Sequence, residues 1–410
     1  MRRYWFVSAP LYSHLDWGGY LGTARALAAL GHDVTWVSGS AVGGAVTAAG
    51  LPFAPVRATG WLWPPPPVPD LATLTPQEAV MLRYRRALDT WMSEDLVADA
   101  VTALLELADS IGTPDVIVTD PFLTAAALAA EKLGARLAVC GWVAQQELTD
   151  DMLFPVQIAL GDESRLRLDR LCERFGVGAL NFSAGAAPAI LSPHLHISYF
   201  NRTWYQAEAA LLLPQTQFVG GTARPSGEPI PAWLDAIPAE VPLALITLGT
   251  TFTGDLGFYS WAAQAAARAG LLPIVAIGWN PIEADAKATL VRSLPRGTRL
   301  VNYVPFADVL PRVKIMCHHG GMGSTHAALI HGVPQIVVPH AADQRGQARR
   351  AAQAKLGLNL TAHDVKNGML AQAFPAILND ARVAATAREM ADDLAALGGV
   401  DRAAGLLATL

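Results

Sequence analysis

At 410 residues the chain is longer than one hydrophobic core usually serves, so two domains are the natural expectation. Hydrophobic residues make up 52% and charged residues only 16%, a balance that excludes disorder and predicts well-packed interiors. The net charge of −5, with Lys and Arg dispersed along the chain, leaves no footprint for nucleic acid.

The start, Met1-Arg2-Arg3, is basic, but the apolar run after it is too short for a signal peptide and reads as a buried strand at 5–9. A polar loop (12–19) and a helix (20–30) follow, Gly31 ends the helix, and 34–37 forms the next strand. Strand, helix, strand is the pattern of a parallel sheet. It returns with a strand at 116–119, a helix at 124–133 and a strand at 137–140. A second series begins with a strand at 243–248, a helix at 259–269 and strands at 273–277, 298–301, 315–317 and 335–338. Between the two series lies a Pro-, Gly- and Ser-rich stretch that reads as a linker. The expected organisation is a first Rossmann-like domain at 1–220, a linker at 221–241, a second Rossmann-like domain at 242–380 and closing helices at 381–410. Two such halves would place a ligand at the carboxyl ends of their strands, in a cleft.

Two stretches interrupt this pattern. Trp61-Leu62-Trp63-Pro64-Pro65-Pro66-Pro67 must be extended, because each proline fixes φ and removes a donor. It is either a stiff surface linker or the rim of a site for an apolar ligand. Residues 145–215, with Trp142 just before, carry Phe154, Phe182, Tyr199, Phe200, Trp204 and Tyr205, which serve either as core or as pocket wall. Cys140, Cys172 and Cys317 lie far apart with no metal-ligand spacing, and read as reduced thiols in a cytoplasmic protein. No uninterrupted apolar run approaches the span of a bilayer. Peripheral membrane contact stays open, as does the choice between monomer and homodimer.

The densest chemistry runs from Cys317 to Gln344: Cys-His-His-Gly-Gly-Met-Gly-Ser-Thr, then His-Gly-Val-Pro at 331–334, then Pro-His-Ala-Ala-Asp-Gln at 339–344. Glycines let backbone N–H groups approach an anion, and a helix N-terminus adds a positive dipole end. His319 could donate a hydrogen bond to the same anion, and Asp343 with Gln344 could hold hydroxyl groups. The three elements, in register, resemble the donor-binding signature of family 1 nucleotide-sugar glycosyltransferases in their bacterial natural-product, glycopeptide-type branch. That resemblance implies an α/β chain with the GT-B fold, two Rossmann-like domains facing across a cleft. In such relatives the last helices cross back onto the first domain, and 381–397 is Ala-rich and helical enough to do so.

The resemblance also implies roles. His319 and the backbone N–H groups of Gly321, Gly323, Ser324 and Thr325 would surround the diphosphate, with His318 secondary and Thr250 near the same phosphates. Tyr303 would stack on the nucleobase and the backbone of Val304 would bond its edge. Asp343 and Gln344 would hold the donor sugar, with His340 beside them. Plant relatives place a Glu eight residues after the signature His for the ribose; that position here is Ala327, so ribose recognition must differ. Glycosyl transfer also needs a base for the attacking hydroxyl. Ser13-His14-Leu15-Asp16-Trp17-Gly18-Gly19 resembles the bacterial Ser-His-Gly-Asp-x-x-Pro loop, in which the acid faces the acceptor. Asp16 is one candidate base and His14 a rival, since an imidazole ordinarily titrates near about 6.5. Asp120, at the end of the 116–119 strand, would orient a catalytic His, or serve as a helix N-cap.

Together these readings predict an inverting hexosyltransferase that moves a sugar from a UDP- or TDP-sugar to a hydroxyl of an apolar small molecule: a polyketide, terpenoid, carotenoid, sterol or phenolic. The nucleotide sugar is a co-substrate, and neither metal nor cofactor is expected. The rival readings are a nucleotide-sugar 2-epimerase of the same fold and a non-catalytic GT-B-like auxiliary protein that activates a partner enzyme.

Overall fold

A computed structural model describes residues 1–15, 18–64, 66, 69, 74–146, 158–185, 187–225, 227, 229–249, 255–279, 282–340 and 343–410. The chain forms two compact units, the first from 1–199, 206–219 and 398–410, the second from 200–205 and 220–397.

The first unit is built on seven strands: β1 (Arg3–Val7), β2 (Asp33–Ser38), β3 (Phe53–Pro55), β4 (Val116–Thr119), β5 (Arg136–Cys140), β6 (Leu195–Ser198) and β7 (Thr216–Phe218). They lie in the order β3-β2-β1-β4-β5-β6-β7, every neighbouring pair parallel. A parallel strand is covered on both faces, so it reads as an unbroken apolar run. Tyr4, Trp5 and Phe6 of β1 accordingly have no solvent exposure. The strand order reverses direction between β1 and β4, and a reversal of this kind leaves a crevice at the carboxyl ends of the two strands. Their register, Val7 opposite Thr119, brings those ends level. The Tyr20 hydroxyl lies 3.0 Å from the Val7 carbonyl and 2.8 Å from that of Val118, pinning the start of the helix Tyr20–Ala29 beneath both strands.

The second unit has six parallel strands: β8 (Leu243–Thr247), β9 (Leu272–Ala276), β10 (Arg299–Val301), β11 (Val313–His318), β12 (Gln335–Val337) and β13 (Gly357–Asn359). Their order is β10-β9-β8-β11-β12-β13, with the reversal between β8 and β11 and with Thr247 opposite His318 at the strand ends. One apolar cluster, around Phe258, Phe374 and Ile336, and a second, around Leu245, Met316 and Val309, cover its two faces.

The strands expected at 5–9, 34–37, 116–119, 137–140 and along the second series, and the helices at 20–30, 124–133 and 259–269, are present with ends shifted by at most a few residues. Two long helices, Pro76–Met92 and Glu94–Ile111, were not anticipated, although Thr75 and Glu78 form a capping box around Pro76 that the sequence displays. The last two helices part company. Ala381–Ala396 packs in the second unit against Met322–Ile330, whereas Gly399–Ala408 lies in the first against Tyr20–Ala29. There the Tyr4 hydroxyl donates to the Leu407 carbonyl (2.9 Å), and Ala403, Ala404 and Leu407 are fully buried. The aromatics of 182–205 are core: Phe182, Tyr199, Phe200, Trp204 and Tyr205 are all buried, and the last three belong to the second unit. Phe154 lies outside the described residues. Among the described residues, no helix is long and apolar enough to cross a membrane.

Candidate active site

In the first unit the loop after β1 forms a short turn, Tyr12–His14, closed by the His14 N–H donating to the Leu11 carbonyl (2.9 Å). The loop after β4 begins with Asp120. Because β1 and β4 are neighbours, the two loops meet, and His14 Nδ1 lies 3.1 Å from Asp120 Oδ2. His14 is 8% exposed and Asp120 not at all. The other carboxylate oxygen accepts the Phe122 N–H (2.8 Å), which fixes the carboxylate in the turn. The helix that follows, Thr124–Leu133, takes Leu123 as its N-cap, so Asp120 does not cap it. With an ionised Asp120 the proton of a neutral His14 sits on Nδ1, leaving Nε2 as an acceptor. The Trp61 ring lies 4.8 Å from the His14 ring, so the Trp-Leu-Trp segment does reach this histidine. Asp16, the rival base, lies outside the described residues, as does Thr250.

In the second unit β11 runs straight into the glycine turn. His318 has no exposure; its Nδ1 accepts the Gly320 N–H (3.0 Å) and its Nε2 donates to Gln335 Oε1 (2.8 Å). Burial pushes its pKa down to about 4, so the neutral tautomer that makes both bonds is the stable one. His318 therefore holds the turn together. Gly320, at φ +89, could not carry a side chain: a Cβ there would sit 2.7 Å from Val337 Cγ1 and 3.0 Å from the Gln344 carbonyl. His319 is 6% exposed; burial, with His318 and His340 nearby, lowers its pKa to about 3. It is an uncharged hydrogen-bonding group at neutral pH. Gly249, on the loop after β8, packs so closely that a Cβ would meet the His319 ring at 2.8 Å.

The helix Met322–Ile330 starts from Gly321 as N-cap, which leaves the N–H groups of its first turn, Met322, Gly323 and Ser324, without partners in the helix ladder. Thr325 differs from expectation: its N–H already donates to the Gly321 carbonyl (2.9 Å), because the fifth residue of a helix start closes the first i to i−4 bond. Met322 takes its place among the donors facing the turn.

The Asp-Gln pair is also rearranged. Asp343 is the N-cap of the helix Gln344–Gln353, partly buried. Gln344 is only 2% exposed, and its Oε1 accepts the His340 N–H (2.8 Å). Its side-chain carbonyl thus closes the turn by supplying that partly buried N–H with an acceptor. His340 Nδ1 donates to the Val338 carbonyl (2.8 Å), and its Nε2 lies 3.6 Å from Asp255 Oδ2. Asp255, the N-cap of the helix Leu256–Arg268, was missed; its Oδ1 accepts the Phe258 N–H (3.1 Å), a spacing the sequence does display. Tyr303, on the loop after β10, is 57% exposed, while Val304 is buried in the core. Trp279, also missed, is 67% exposed on the loop after β9, and a Gly278 N–H to Asn302 carbonyl bond (2.9 Å) ties that loop to the one bearing Tyr303. Among the described residues no three His, Cys, Asp or Glu side chains gather as a metal would require.

Residues 281–400 match the family model described as the C-terminal domain of the erythromycin biosynthesis protein CIII-like proteins. The TDP-daunosamine transferase DnrS of Streptomyces peucetius is 28% identical over 370 residues, 84% of this chain and 82% of its own. A crystal structure of the glycotransferase of kitacinnamycin superposes with a TM-score of 0.76 at 24% identity, covering 100% of this chain and 98% of the other. The spinosyn rhamnosyltransferase SpnG complexed with thymidine diphosphate superposes with a TM-score of 0.72 at 21% identity, covering 100% and 99%.

Proposed function

Because this chain belongs to the GT-B nucleotide-sugar glycosyltransferases of the bacterial natural-product type, we propose that it transfers a sugar from a TDP- or UDP-sugar to a hydroxyl of an apolar small molecule, with inversion at the anomeric carbon. The observation that carries the reading is the His14–Asp120 pair, 3.1 Å apart and shielded from solvent at the carboxyl ends of β1 and β4. His14 Nε2 takes the proton of the acceptor hydroxyl as its oxygen bonds to the anomeric carbon and the bond from that carbon to the diphosphate oxygen breaks. Asp120, accepting from Nδ1, steadies the imidazolium that forms, as in any base held by a carboxylate. One displacement inverts the carbon once.

The leaving diphosphate gains charge as that bond breaks, and in this reading the second unit receives it. His319 donates one N–H without adding a positive charge, and the amides of Met322, Gly323 and Ser324 supply the rest at the helix start. Tyr303 offers the nucleobase an exposed ring, and in this reading Asp343 at the start of the helix Gln344–Gln353 receives the sugar, with His340 beside it. The names of a TDP-sugar transferase and of a thymidine diphosphate complex among the relatives favour a TDP donor. No resident metal or cofactor takes part in this scheme.

The experiment is turnover of TDP- and UDP-glucose against a panel of hydroxylated apolar acceptors, with and without EDTA, with the product anomer read by NMR. A β-glucoside formed from the α-linked donor, unaffected by EDTA, is expected. A retained anomer, or nucleotide-sugar isomerisation without transfer, would overturn the proposal.

A further inference from the structure

Resting on the acceptor half of that reading, we propose that the hydroxyl delivered to His14 belongs to a planar aromatic ring system, not to a saturated skeleton. Beside the histidine the first unit gathers rings from four separate places in the chain. Trp61 lies 4.8 Å from His14 and 6.2 Å from Phe122, at 72° to it. Phe122 also meets Trp91 (6.2 Å, 59°) and Trp142 (6.2 Å, 64°), so it is the hub of the cluster. Trp142 is 7% exposed and closes the back, whereas Trp61, Trp91 and Phe122 are only partly buried.

Tilted neighbours of this kind present both faces and edges to anything entering beside them. A flat ring can meet those edges with its face, and those faces with its edge, the geometries that ring quadrupoles favour. A saturated ring gains the same apolar burial without that electrostatic match. The base and the hub are also mechanically linked: one oxygen of Asp120 holds His14 and the other accepts the Phe122 N–H. A ring packed on Phe122 is therefore registered against the imidazole. The chemistry agrees, since a phenolic hydroxyl, ionising near about 10, gives its proton to an imidazole far more readily than an alcohol does.

The test is calorimetric binding, without donor, of two acceptors with the same carbon skeleton: 2-naphthol and decahydro-2-naphthol. The wild-type protein is expected to bind 2-naphthol about tenfold more tightly. Trp61→Leu and Phe122→Leu should each reduce that preference by roughly three- to tenfold and leave decahydro-2-naphthol nearly unchanged, with Trp61→Phe restoring part of it. Equal affinities in the wild-type protein, or equal losses for both compounds in the variants, would overturn the inference. Because binding is read without donor, a protein that prefers 2-naphthol yet transfers no sugar would support this inference while sinking the proposed activity.

Discussion

His14 and His319 each lie on a loop beside the reversal in strand order of their own unit, but on opposite sides of it: His14 follows β1, whereas His319 follows β11, the counterpart of β4. Their surroundings are opposite. His14 has a buried carboxylate 3.1 Å from its Nδ1. His319 is buried with two other imidazoles as its charged-state neighbours, and its pKa falls to about 3. The two sides of the reversal thus hold two different imidazoles: one paired with a carboxylate, and one that burial keeps from holding two protons. What surrounds each ring sets what it can do.

The largest effects should fall on the proposed base. His14→Ala should lower kcat by about two to four orders of magnitude while leaving nucleotide affinity, read by calorimetry, unchanged. Asp120→Asn keeps an oxygen for the Phe122 N–H but no longer stabilises the imidazolium, so it should lower kcat as well; combined with His14→Ala it should add little further loss. Asp16→Asn completes the comparison: a loss matching that of His14→Ala would transfer the role of base to Asp16. On the other side, His319→Ala should weaken TDP binding by roughly ten- to a hundredfold with little change in acceptor affinity, the cost of one hydrogen bond to a charged group. Equal binding by the variant would remove His319 from the diphosphate site.

Acid should separate the two units as well. His318 and His319 in the second are held at about 4 and 3, and His196 in the first at about 4, all by burial. Each folded pKa lies below the ordinary value near 6.5, so the unfolded chain binds the extra proton first and stability is lost as pH falls from about 6.5 toward 4. From pH 7 to 5 the loss is about 2 kcal/mol for each such imidazole, so the sheet with two should loosen more than the sheet with one. Hydrogen exchange measured separately in β11 and β6 at the two pH values reads the difference; equal acceleration would show that the two sheets do not respond to these histidines separately.

The two sites were not equally legible. The donor turn is local: Gly320 and His319 must lie beside each other in sequence to make that bend, and the pattern shows. The His14–Asp120 pair joins residues 106 apart. No spacing encodes it, and only the adjacency of β1 and β4 creates it. Two groups expected to meet a ligand are engaged within the protein: the Gln344 side-chain carbonyl accepts the His340 N–H, and the Thr325 N–H closes the first turn of its helix. Trp279 and Asp255 carry no local pattern that marks a site; exposure in one case and a 3.6 Å approach across two loops in the other are properties of the folded chain.

The smallest effect worth measuring tests whether His319 depends on its setting as His14 depends on Asp120. Gly249 has φ +75, and a Cβ there would press on His319 Cε1 at 2.8 Å and Nε2 at 3.0 Å. Gly249→Ala should cost about 1–2 kcal/mol of stability from the left-handed backbone alone. If the ring is displaced as well, TDP binding should weaken by several-fold beyond that, while the affinity for 2-naphthol in the first unit stays at its wild-type value. The His319→Ala, Gly249→Ala double variant then decides the cause. Should it bind TDP no worse than His319→Ala alone, the glycine acts through the imidazole. Should the two losses add, the glycine serves the phosphates directly, and the loop after β8 would be a second cradle instead of a support for the first.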